Sequence, residues 1–203
     1  MFKRVGVTVL ASCVLLAGCA KEKTPTINNS MTHVMQPEAQ TIWDITSRAF
    51  NAKGDGLDPT LIKPTDWIKL AKAGRKMRDR AHLLAVADHN TVTTFGETIM
   101  GEQGSGMVSV RPEVSHTAAS VKQIQTWIDA NPTLFAKRAK ILEDSGTKLL
   151  NAAHTYDVKA VYEVSAGLDE VCDGCHEKFW GTDEPPKFPN SDSNSGGAWI
   201  QVQ

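Results

Sequence analysis

The chain has 203 residues, with 22 Lys and Arg against 23 Asp and Glu and a formal net charge of −1. So even a balance excludes the basic surface that nucleic-acid binding requires, and no nucleic acid is expected as a partner. Four cysteines, two of them within the first nineteen residues, leave no material for a disulfide framework.

Lys3 and Arg4 precede an apolar run from Val5 to Leu16, too short to stay in a bilayer as a comfortable span, so residues 1–18 read as an export signal outside the fold. Its end, Leu16-Ala17-Gly18-Cys19, resembles the lipobox of bacterial lipoproteins. That resemblance implies cleavage before Cys19, acylation of its thiol, and anchorage to a bacterial membrane facing the periplasm. Ala20 and Lys21 follow, with no aspartate, which in such lipoproteins goes with the outer membrane. Cys13 leaves with the signal, Cys19 takes lipid, and only Cys172 and Cys175 remain in the exported domain. Loss of Lys3 and Arg4 brings the exported part to about −3.

Residues 19–30 are polar, contain Pro25 and show no apolar period, which predicts a tether, with the domain starting at Met31. From there the apolar pattern is helical wherever it is regular. Ile42, Trp43, Ile45, Ala49 and Phe50 form the first apolar face, ended by Gly54-Asp55-Gly56. Pro64-Thr65-Asp66 opens a second helix, with Trp67, Leu70, Ala71, Gly74, Met77, Ala81 and Leu84 on its core side. Five glycines and prolines between Asp88 and Ser115 predict a long loop, although Val92 to Met100 has enough apolar residues to prolong the helix. A third segment from Thr117 to Ala130 presents Val121, Ile124, Trp127 and Ile128 and is interrupted at Asn131-Pro132. Phe135, Ala139, Leu142, Gly146, Leu149 and Ala153 then step by four and three. After a turn at Thr155-Tyr156-Asp157, the last helix carries Val161, Val164, Leu168, Val171 and Cys175 on one face. Residues 181–203, rich in Pro, Gly, Ser and Asn, read as an irregular tail. Four main helical segments over residues 31–180, without strands, predict an all-α antiparallel four-helix bundle.

The final turns of that last helix read Cys172-Asp173-Gly174-Cys175-His176. Thiols at i and i+3 face one side of a helical turn and suit the two vinyl groups of a haem, while the adjacent histidine offers a ring nitrogen to the iron. A redox dithiol belongs at a helix start, among strands, and a structural zinc site needs a fourth ligand that no second Cys pair supplies. A pattern with two free positions also arises by chance. Export, the absence of surplus cysteine and the helical setting favour one covalent haem c, with His176 as proximal ligand. For the far side, Met31-Thr32-His33-Val34-Met35 offers three candidates, although Pro37 predicts a bent turn or an extended arm there and methionine more commonly fills core gaps. Met77, Met100 and Met107 read as filler, and His82, His89, His116 and His154 as surface residues.

Residues 31–180 resemble the class II cytochromes c, the group of cytochrome c′ and its low-spin relatives. The resemblance rests on the terminal Cys172-x-x-Cys175-His176 motif, on the spacing from Phe135 to Trp180, and on Met31 with Pro37, Ala39, Ile42 and Trp43. The Pro64-Thr65-Asp66-Trp67 start and Phe179-Trp180 are similar to an uncharacterised exported branch of that group. It implies an antiparallel four-helix bundle with haem near the C-terminal end of the last helix, and pairing into a homodimer through the first two helices. In low-spin members a methionine of the first helix ligates the iron, a position matched by Met31, with Met35 as the alternative. The function then implied is single-electron transfer with redox partner proteins, not enzymatic turnover. High-spin members leave the site five-coordinate and bind nitric oxide or carbon monoxide, which is the alternative. A peroxidase would need a distal His and Arg pair, which no spacing here suggests.

Overall fold

The three-and-four spacing builds helix through most of residues 24–94 and 121–180, which are the residues that the computed structural model describes; no strand occurs among them. Cys19, His116, Met100, Met107 and the tail after Trp180 lie outside the described residues. The elements are α1 (Ile27–Ser30), a π-helical segment (Met31–Met35), α2 (Gln36–Ser47), a 3-10 turn (Pro59–Leu61), α3 (Pro64–Ala85), α4 (Val121–Ala130), α5 (Pro132–Thr155) and α6 (Val158–Phe179). The fold is all-α.

The stretch that reads as tether is structured in its last residues. Thr26 caps α1 by accepting from the Asn29 N–H at 3.0 Å, and Ile27 is buried. The Ile27 and Asn28 N–H groups, orphan donors of a helix start, reach the Thr91 and Val92 carbonyls at 2.9 Å each. Polar neighbours hide Ile27 in the sequence pattern, and its partners lie more than sixty residues downstream.

Pro37 does not break the first helix. The backbone stays in the right-handed helical region at Ser30, Met31, Met35 and Gln36, and the Gln36 N–H skips one residue to bond the Met31 carbonyl. Widening to a π turn just before the proline takes up the crowding that its ring would cause in an unbroken α ladder. The expected bent turn or extended arm is therefore a π bulge. At the other end α2 stops at Ser47, so Phe50 falls beyond the helix and is exposed, its ring edge-on to Tyr162 at 6.1 Å.

α3 starts at Pro64 as its proline and acid predict. Asp66 is buried, accepts from the Lys63 N–H at 3.0 Å and pairs with Arg48 at 2.6 Å, which ties the end of α2 to the start of α3. Burial pushes the Asp66 carboxyl up, and the Arg48 guanidinium and the Lys63 N–H pull it below the usual range. Buried Glu38 pairs with Lys76 across the same helices. The helix ends at Ala85, and Val92 is buried in a non-helical segment instead of prolonging α3. Asn131 and Pro132 separate α4 from α5. Every α5 position expected in the core is buried, and Tyr156, at φ 57°, closes α5 while its ring meets Trp67 edge-on at 5.3 Å.

α3 and α5 share the most extensive contact, followed by α5 and α6. Gly74 and Gly146 make the first of these possible. A Cβ on Gly74 would lie 2.7 Å from the Leu150 nitrogen and 2.8 Å from the Gly146 oxygen; one on Gly146 would lie 2.6 Å from the Arg78 nitrogen. Two helix backbones touch where only hydrogen fits. α6 is tied to α2 by the Thr46 and Ser165 hydroxyls at 2.8 Å, a buried pair that apolar spacing does not reveal.

Gly74→Ala and Gly146→Ala should each destabilise the fold by about 1–3 kcal/mol, overpacking outweighing the better helix propensity of alanine. Gly167→Ala, with no atom within 4 Å of the added carbon, should stabilise by about 0.5–1 kcal/mol. Urea unfolding of the three variants measures both signs.

Candidate functional site

Asp157 caps α6, accepting from the Ala160 N–H at 3.0 Å, and the helix runs unbroken to Phe179. Cys172 and Cys175 are one turn apart near its C-terminal end, both half-buried, with free thiols. His176 follows, also half-buried, and Trp180 closes the helix by donating to the His176 carbonyl at 2.8 Å.

The core divides into two apolar clusters, and the motif stands where they meet. One cluster contains Met35, Ile42, Leu70, Met77, Leu149 and Leu168, and Cys172 packs against it. The other contains Ile27, Leu84, Val92, Trp127, Phe135 and Phe179, and Cys175 packs against that. Among the described residues Met31 alone packs against both. Phe135 and Phe179 meet edge-on at 5.5 Å behind Cys175, which fixes the end of α6 on α5.

Burial pushes the Cys172 thiol up to about 12, with Asp169, Cys175 and Asp173 adding to the rise. The Cys175 thiol is pushed up to about 11 by burial, held back by the charge of Arg138. Burial lowers His176 below the usual imidazole range, against the opposing effect of Asp173. Neutral thiols and a neutral ring follow at pH 7. A dithiol oxidoreductase needs the reverse, a thiolate favoured by a helix N-terminus or a neighbouring cation. No three His, Cys, Asp or Glu side chains converge among the described residues, so a zinc cage has no ligand set there.

The motif's donors fit a covalent haem: two free thiols one turn apart, a half-buried imidazole beside them, and an apolar cluster against each thiol. The far-side candidates separate. Met35 is buried in the first cluster, His33 is exposed and its Nδ1 meets the Thr32 hydroxyl at 2.8 Å, and Met31 is half-buried on the seam. His82, His89 and His154 are exposed, as their isolated positions suggest.

Sequence reasoning missed Arg138. A Cβ on Gly174 would lie 3.0 Å from its Nη1 and 3.6 Å from its Cζ, so the guanidinium rests on the turn between the two thiols. The signal was present: residue 138 is three after Phe135 and four before Leu142, on the side of α5 that faces the core. A groove lined by Leu57, Pro59, Val158 and Tyr162 lies at the opposite end of α6, roughly 20 Å from Cys175, and plays no part in this site. No helix among the described residues is long and apolar enough to cross a membrane.

Comparison with protein-family models, with curated proteins and with solved structures yields no match.

In the chain carrying free thiols, alkylation should be slow at pH 8 and accelerate as pH rises toward 11, with Cys175 modified ahead of Cys172. Unfolding in urea should abolish the difference. Peptide mapping after timed labelling reads both effects, and fast, equal labelling at pH 8 contradicts them.

Proposed function

We propose that this chain is a lipid-anchored, monohaem c-type cytochrome of the class II kind that carries single electrons on the outer side of a bacterial membrane. The observation that supports the reading is the Cys172-x-x-Cys175-His176 turn at the end of α6, with Cys172 packed on one apolar cluster, Cys175 on the other and Met31 on both. In this reading α2, α3, α5 and α6 form a four-helix bundle with the haem near the end of α6, and α4 covers part of the second cluster. Cys172 and Cys175 bond the macrocycle covalently, His176 is the proximal ligand of its iron, and Met31 is the distal one. Bound there, the haem supplies reversible one-electron exchange. Burial keeps the His176 ring neutral, its lone pair free for the metal, while Phe179, Leu168 and Met31 exclude water. Thioether ligation and apolar surroundings both favour the ferrous state and a high potential.

The tether leads to Cys19, whose acylation holds the domain at the membrane, the outer one in bacteria with two, within reach of redox partner proteins. No catalytic residue is proposed.

The purified protein should carry one covalent haem by alkaline pyridine spectrum and mass, lost in the Cys172→Ala, Cys175→Ala double variant. Its ferric spectrum should be low-spin with a thioether charge-transfer band that disappears in Met31→Ala. Met35→Ala should instead keep the band and lose about 2–5 kcal/mol of stability. Rapid, complete carbon monoxide binding by the ferrous wild type would replace the electron carrier by the five-coordinate, gas-binding reading.

Cys19→Ser should move the protein from the membrane to the soluble fraction, and an intact mass without acyl groups at Cys19 contradicts the anchor.

A further inference from the structure

Among the described residues Arg138 forms no ion pair, whereas Arg48 pairs with Asp66, Lys76 with Glu38, Arg78 with Asp79, and Lys140 with Glu143 and Asp144. Its half-buried side chain leaves α5 between the buried Phe135 and Leu142, and lies on Gly174 because that residue has no Cβ to displace it.

We propose that Arg138 is a positioning charge for redox chemistry, a fixed cation at the attachment turn that raises the reduction potential of the haem held by Cys172 and Cys175. The inference rests on the cytochrome reading and adds to it a residue that touches neither iron ligand. Reduction transfers one electron from a partner protein to the iron and removes one unit of positive charge from it. A cation fixed nearby opposes the ferric form more than the ferrous form, and so favours uptake of the electron.

The surrounding charges support this role. Asp169, Glu170, Asp173 and Glu177 occupy the same turns of α6, but all four are exposed, where water and salt screen them. Arg138 is half-buried, with its guanidinium where a side chain on Gly174 would go, and screening is weaker there.

The test is a spectroelectrochemical titration of the full-length, haem-loaded protein as wild type, Arg138→Gln and Arg138→Lys, with haem content measured in each. Arg138→Gln should lower the equilibrium constant for reduction about tenfold, which for one electron is about 59 mV. Arg138→Lys should stay within about threefold of wild type, and the Gln variant should be less sensitive to added salt. An unchanged potential in Arg138→Gln overturns the proposal, as does an equal fall in both variants, which would mark a packing effect. If Arg138→Gln does not accumulate, Arg138→Met decides, since it keeps an unbranched apolar stem and removes the charge: a fall of about tenfold supports the proposal and no change overturns it. Wild-type protein without covalent haem overturns the cytochrome reading as well, whereas a loaded protein with an unmoved potential overturns the Arg138 assignment alone.

Discussion

The contact of Gly74 with Gly146 is the constraint on which the arrangement depends. With hydrogens in place of side chains, α3 and α5 approach until the carbonyl of one glycine lies where a Cβ of the other would go. Such proximity gives the two longest contact surfaces a fixed spacing and lets the buried residues around them, Leu70, Met77, Leu149 and Ala153, interlock with little room for a shift. The remaining helices then have a defined surface to cover. α6 lies on α5, and α2 lies on α3, held there by the Arg48 and Asp66 pair and the Glu38 and Lys76 pair.

That order of dependence accounts for the rigidity of the motif without any contact peculiar to it. Cys172 and Cys175 belong to a helix whose far end is capped by Asp157, whose middle is tied to α2 through Thr46 and Ser165, and whose near end is held by the Phe135 and Phe179 rings. A helix fixed at three levels cannot rotate about its axis. The side of α6 that meets the seam between clusters is therefore set, and with it the direction of both thiols. Ion pairs on the wet side of the same helix, such as Lys159 with Glu163 at 3.5 Å, are exposed and add little.

Helical period made α3, α5 and α6 legible in the sequence, down to the buried stripe Phe135, Ala139, Leu142, Gly146, Leu149 and Ala153. It marked Gly74 and Gly146 as interior, but interior position does not distinguish a small residue that fills little space from one that admits a backbone. The terms that escaped are those fixed by distant partners. Ile27 is helical because Thr91 and Val92 supply acceptors for the first N–H groups, and Ser165 is buried because Thr46 answers its hydroxyl. The site divides in the same way: Cys172, Cys175 and His176 announce themselves as a local pattern, whereas Arg138 acquires meaning only when α5 brings it to Gly174.

Pro37 shows why a local rule failed at the place where it mattered most to the reading. Proline removes one donor and presses its ring on the carbonyl four residues back, which in a regular α-helix is that of His33. The chain loses little if that carbonyl is already displaced, and a π turn displaces it by spreading one turn over an extra residue. The bond from the Gln36 N–H to the Met31 carbonyl is the signature of this solution. Its consequence reaches the side chains, because residues within the π turn are rotated relative to those that an unbroken α-helix would present. Met35 remains in the first cluster while Met31, one wider turn earlier, comes to the seam beside both clusters. The proline that argued against helix near Met31 is thus part of what places that methionine apart from Met35, and a residue at 37 with an N–H would allow the α ladder to close and the two to fall back into register.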